Sequence, residues 1–157
     1  MNIFFEEQRE FLKSLLENQV NFILVGGFAV IYYGHNRVTG DMDLWLEPTN
    51  ENKEKFILAL TILGFDDETL DEIKNRDFRN AQLFYFGTPP ERTDFMTQIS
   101  GVTYPECKSL AVNATFEGLD LKVIHINHLI QNKKASGRLK DLADVEQLEL
   151  IRSKGSF

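Results

Sequence analysis

Three short stretches of this sequence carry side chains placed to do chemistry. In Asp41-Met42-Asp43-Leu44 two carboxylates stand two residues apart. On a strand, residues i and i+2 share a face, so both acids project together while Met42 and Leu44 point the other way. Carboxylates held side by side repel, and each raises the other's pKa unless a cation lies between them. The pair therefore points to a hard divalent cation, Mg2+ or Mn2+, with oxygen ligands. An exposed polar face on an edge strand would give the same pattern. The second stretch is Thr93-Asp94-Phe95. Strand interiors disfavour Asp, so Asp94 requires a cation, either a metal or a neighbour such as Arg92. The third is Val25-Gly26-Gly27, where an apolar run ends in glycines that open a helix. Without side chains the backbone N–H groups can approach a phosphate, and the helix N-terminus adds a favourable dipole. A plain tight turn is the ordinary alternative for such a pair.

Cations with matching chemistry lie nearby in the sequence. Arg37 falls between the glycines and the Asp pair, within reach of a bound phosphate, and Thr39 is placed to orient the Asp strand. Lys133, Lys134, Arg138 and Lys140 fall within eight residues of an otherwise acidic chain. Lys133 and Lys140 are the candidate phosphate contacts. A solvated helix face is the competing reading, with Lys140 paired to Asp144 at i, i+4. No spacing of His35, His125 and His128 matches a zinc site. The lone Cys107 has no base near it in sequence and reads as a buried free thiol.

These residues need elements to position them. Apolar residues at helical spacing predict an amphipathic helix from Phe5 to about Glu17. Asn21–Val25 reads as a buried strand, Phe28–Tyr33 as a short helix after the glycines, and Asp41–Leu46 as an alternating strand. Asn50 is expected to cap a helix that stops at Gly64. A helix and loop follow over Asp66–Asn80, then strands at Ala81–Phe86 and Arg92–Ile99 around the turn Gly87-Thr88-Pro89-Pro90. Leu119–Ile124 predicts a further strand, and Asn127–Ala135 and Arg138–Arg152 predict helices broken at Ser136-Gly137. The order gives an α/β (α+β) fold, a mixed β-sheet with helices packed on it.

With 157 residues, 43% hydrophobic and 26% charged, the chain has ordinary globular composition, and residues 1–157 read as one domain. Thirteen Phe against one Trp predict a core of packed aromatic rings. The net charge of −7 argues against unaided, non-specific nucleic-acid binding, although a local basic patch can sit on an acidic protein. No apolar run approaches the roughly 18 residues that span a bilayer. The stretch Met1-Asn2-Ile3-Phe4-Phe5-Glu6-Glu7 lacks a basic leader region. A cytoplasmic location without a membrane partner is expected.

The combination of motifs resembles the nucleotidyltransferase superfamily, whose signature is a hydrophobic residue, Gly-Gly or Gly-Ser, a spacer, Asp-hydrophobic-Asp, and a third carboxylate on a later strand. The spacer here, Phe28 to Gly40, is thirteen residues, at the long end of the usual range. Several segments look like the small bacterial branch related to the AbiEii-type toxin nucleotidyltransferases. They are Gly26–Gly34, Arg37-x-Thr39-x-Asp41-x-Asp43, Arg92–Phe95 with Ile99–Val102, and the run from Leu129 through Lys133, Arg138, Lys140, Asp141 and Asp144. The likeness spans roughly Phe22 to Leu148 and suggests a toxin–antitoxin-like setting. It implies a metal-dependent transfer of a nucleoside monophosphate from a nucleoside triphosphate (NTP) to a hydroxyl acceptor, with tRNA, a protein and a small molecule as candidates. Asp41, Asp43 and Asp94 would hold two Mg2+ or Mn2+ ions. Asp94 would help deprotonate the acceptor, and Gly26 and Gly27 would cradle the β- and γ-phosphates. The alternative is a degenerate member that keeps the fold, has lost catalysis and acts through a protein partner.

Overall fold

Strand β1 (Phe22–Val25) is four apolar residues, all buried, and it lies inside a six-stranded sheet. In the computed structural model, which describes residues 3–155, α1 (Glu6–Glu17) precedes it. After it come α2 (Gly26–Tyr32), β2 (Met42–Leu46), α3 (Asn50–Ile62), α4 (Asp67–Lys74), β3 (Leu83–Phe86) and β4 (Thr93–Met96). The remainder is α5 (Tyr104–Leu110), β5 (Val112–Phe116), β6 (Leu119–Val123), α6 (Ile126–Ser136) and α7 (Leu139–Lys154). The strand order is β3-β4-β2-β1-β6-β5. β1 runs antiparallel to β2 and parallel to β6, β2 runs parallel to β4, and β3 and β5 pair antiparallel as edges. The sheet is mixed, as expected.

The two faces of the sheet differ because side chains alternate along each strand. Phe95 on β4 turns to the face where its ring meets Phe11, Phe56 and Phe86 at centroid distances of 5.5, 4.8 and 5.8 Å. That aromatic layer ties α1 and α3 to the sheet. On the opposite face, Trp45 packs edge-on against Tyr104 of α5 at 5.1 Å, and its indole N–H donates to the Thr97 carbonyl at 3.1 Å. Asp43 and Asp94, one pleat from Leu44 and Phe95, lie on this second face.

Several elements differ from the sequence reading. Gly26 and Gly27 form the first turn of α2 rather than preceding it. Thr49, not Asn50, caps α3, and its hydroxyl accepts from the Asn52 N–H at 3.1 Å. The strands expected at Ala81–Phe86 and Arg92–Ile99 are shorter, because Thr97 leaves the ladder, its hydroxyl donating to the Asn80 carbonyl. Helix α5 and strand β5 went unread. Yet Thr103-Tyr104-Pro105-Glu106 carries a capping box, in which the Thr103 N–H donates to Glu106 Oε1 at 2.8 Å, with Pro in the first turn. The Glu117-Gly118 pair, both at positive φ, closes a two-residue hairpin between β5 and β6. The leader reading includes Met1 and Asn2, which lie outside the described residues. No helix among the described residues is long and apolar enough to cross a membrane.

Candidate functional site

The site is assembled by register. Val25 faces Asp43 across the β1–β2 pair, Asp43 faces Asp94 across β2–β4, and Asp94 faces Tyr85 across β4–β3. One row across four strands thus brings the residue before the glycine turn, two carboxylates and a tyrosine to the same level. Met42 faces Thr93, which sets Asp41 beside Arg92 at the entrance to both strands. The row opens into a cleft of about 560 Å³ whose walls include Gly26, Gly27, Arg37, Thr39, Asp41, Asp43, Arg92, Asp94, Lys133, Arg138 and Lys140. All the site residues expected from the sequence therefore line one cleft.

The glycines are required by close packing. Gly26 has φ +69°, and a Cβ there would run into the Asp43 carboxylate. A Cβ on Gly27 would lie 2.7 Å from Thr39 Oγ1 and 2.9 Å from Arg37 Nη2. The Arg37 guanidinium and the Thr39 hydroxyl therefore stand directly over the start of α2, where free N–H groups and the helix dipole favour an anion.

Charge in the carboxylate corner is crowded. Burial first, then the charges of Asp94 and Asp41, push Asp43 up to about 7, against the opposing pull of Lys133 and Lys140. Asp94 is also raised, by burial, although Arg92 opposes this, and its side chain is within hydrogen-bonding reach of Asp43. Arg92 bridges the other two acids. Its Nη2 donates to Asp94 Oδ2 at 3.1 Å, its Nε lies 2.8 Å from Asp94 Oδ1, and its Nη2 lies 3.5 Å from Asp41 Oδ2. The same guanidinium stacks over the Tyr85 ring at 5.1 Å.

Among the described residues no three His, Cys, Asp or Glu side chains form a ready-made metal-holding group. Asp94 and Asp41 are ion-paired with Arg92. The donor set nonetheless suits a hard divalent ion: three carboxylates, one of them raised to about 7 by burial first and then by the other two, with a cation already attracted to those two.

The opposite wall is a buried ion network. Lys133 Nζ lies 2.9 Å from Asp144 Oδ2 and 3.3 Å from Asp141 Oδ1, and Asp144 Oδ1 lies 3.2 Å from Arg37 Nε. Burial acts to raise Asp141, but hydrogen bonds from Arg138 and Ser136, with Lys133, hold it down at about 2. Asp144 thus belongs to Arg37 and Lys133, not to Lys140 as i, i+4 spacing allowed. From the sequence the two acids of α7 figure in the family-like run, with Asp144 as a partner for Lys140, and not as ligands of buried Lys133. The spacing of Asp141 three residues after Arg138 was the available signal. Gln82, Gln98, Ser100 and Asn132 add neutral polar lining that the sequence reading did not single out. Cys107 is buried, its thiol pushed up to about 12 by burial and then by Glu106, and it is absent from the cleft walls. The His125 ring caps α6 by accepting from the Asn127 N–H at 3.1 Å.

No family model matches the sequence, and no curated protein matches it either. Solved structures do. The antibiotic-resistance factor ANT(2'')-Ia superposes with a TM-score of 0.57 at 13% identity, over 94% of this chain and 88% of that one. A putative nucleotidyltransferase from Thermotoga maritima gives 0.54 at 12% identity, over 98% and 95% of the two chains. ANT(2'')-Ia in complex with adenylyl-2''-tobramycin gives 0.51 at 12% identity, over 94% of each chain. At this identity the likeness is one of fold: the chain has a nucleotidyltransferase-like architecture.

Proposed function

We propose that this chain is a nucleotidyltransferase that moves a nucleoside monophosphate from an NTP to a hydroxyl acceptor. The observation that carries the reading is the register row Val25–Asp43–Asp94, which sets the Gly26-Gly27 helix start and the carboxylates at one cleft mouth, facing Arg37 and Lys140. The fold it shares with ANT(2'')-Ia, a protein captured with an adenylylated tobramycin, supports the same reaction class.

In this reading the amides at the start of α2, with Arg37 above them, bind the phosphate tail, and Lys140 adds an exposed cation. Lys133 holds Arg37 indirectly, through their shared Asp144. Asp41, Asp43 and Asp94 would hold Mg2+ or Mn2+, which when bound supplies Lewis acidity and neutralises phosphate charge. Asp94 takes the proton of the acceptor hydroxyl as its oxygen bonds to the α-phosphorus, and the α–β bridge breaks to release pyrophosphate. The negative charge that develops in that attack must be absorbed by groups already in place. Membership of the AbiEii-like branch belongs to this proposal, carried by the Arg37-x-Thr39-x-Asp41-x-Asp43 and Arg138–Asp144 motifs.

Incubation with each α-labelled NTP and Mg2+ or Mn2+, alone and with total RNA, protein extract or small hydroxyl compounds, tests it. The expected result is pyrophosphate release with label on one acceptor class. No transfer with any NTP, from a folded protein, would rule the reading out.

A further inference from the structure

Among the described residues Arg92 is the one guanidinium in contact with the carboxylate corner. It is opposite Asp41 in register and two residues before Asp94, so all three side chains leave the same sheet face at the same end. Its hold on the two acids is mostly ionic. The Nη2–Asp94 contact is an aligned hydrogen bond, whereas Nε, though 2.8 Å from Oδ1, makes no aligned hydrogen bond, and the Asp41 contact is purely ionic. Leaving the acids gives up one hydrogen bond and two ionic contacts, which phosphate oxygens can replace. The Tyr85 ring beneath the guanidinium provides a place to remain after leaving the acids.

We propose that Arg92 is an internal counter-cation that closes the carboxylate corner to free divalent ions, so that metal enters as its complex with nucleotide. This rests on the reading of Asp41, Asp43 and Asp94 as the metal ligands. A free ion must expel Arg92 and leaves it without an anionic partner. A metal–NTP complex expels it too, but brings phosphate oxygens that a guanidinium binds well. Ion and nucleotide then favour each other's binding, and the coupling is reciprocal. The chain would avoid holding bare metal in an acidic corner, and the triphosphate would open the site meant for it.

The test is Mn2+ titration followed by electron paramagnetic resonance at pH 8, on the full chain, with and without a non-hydrolysable NTP analogue. Wild type is expected to bind Mn2+ weakly alone and much more tightly with the analogue. Arg92→Gln is expected to bind Mn2+ alone about tenfold more tightly than wild type, and to lose most of the synergy with nucleotide. Arg92→Lys, which keeps the charge but cannot bridge two acids with a planar fork, should fall between, and it carries the comparison if Arg92→Gln does not fold. Wild-type Mn2+ affinity in both variants, with synergy intact, would overturn the gate while leaving the metal ligands standing. Absence of Mn2+ binding in every protein, with and without analogue, would overturn the metal reading and the gate with it.

Discussion

At the scale of single residues, Asp43 is where the proposed chemistry would concentrate, and its cost to the fold is measurable. Its folded pKa, about 7, lies above the ordinary 3.8, so between those values the native state binds a proton that the unfolded chain does not. The stability this provides is complete below the unfolded value and is lost as pH rises through the folded one. In EDTA, wild type should therefore weaken from pH 4 to pH 8. Asp43→Asn should lack this component and be more stable at pH 8 by on the order of 3 kcal/mol, while failing to transfer nucleotide. Urea unfolding at the two pH values checks the first part and a transfer assay the second. Full activity in a folded Asp43→Asn protein would place the chemistry elsewhere. Gly26→Ala should fail differently, since its Cβ would displace the Asp43 carboxylate at a positive-φ position, and reduced soluble yield or a lowered Tm is the expected outcome. The Asp pair was legible because strand side chains repeat every two residues. What Arg92 does with those acids was not, since that depends on which strand lies beside which.

At the scale of elements, the segment 34–41 between α2 and β2 has no regular structure; Gln8 of α1 donates to its Gly40 carbonyl at 2.6 Å, and Arg37 ties it to Asp144 of α7. The same carboxylate holds buried Lys133 of α6, so Asp144 couples three parts of the cleft wall. Asp144→Asn should cost about 2 kcal/mol, less than breaking an isolated buried pair because Asp141 still faces Lys133. It should also weaken NTP binding, and much less so once Arg37 is already replaced by Gln, because Asp144 acts there through Arg37. Chemical denaturation and a double-mutant cycle on nucleotide affinity check the two parts. Helices α1 and α7 and strand β1 could be read directly, their apolar spacing or continuous burial being local properties. Helix α5 was missed because it has only seven residues and its cap, not its periodicity, announces it. Strand β5 was missed because its pairing with β6 through Glu117-Gly118 was not weighed.

At the scale of the whole molecule, the class of fold followed from the order of elements, but the strand order did not. The central adjacency of β1, β2 and β4 is a tertiary choice that buries Phe95 and Leu44 on one face and leaves Asp43 and Asp94 at the cleft on the other. The net charge of −7 sharpens the question of how such a protein holds a polyanion. Cations at the cleft wall are one part of the answer, and Lys140→Ala should lower NTP affinity by about tenfold or less without unfolding the chain. Replacing Lys133 would confound the measurement, since it strips Asp141 and Asp144 of their buried cation. Under the proposed function the larger part would be metal, which would invert the sign of the carboxylate corner. Calorimetric titration of a non-hydrolysable NTP into the protein, with Mg2+ and then with EDTA, measures that directly. The account predicts binding in Mg2+ and at least about a hundredfold loss in EDTA. Equal affinity in the two conditions would contradict it.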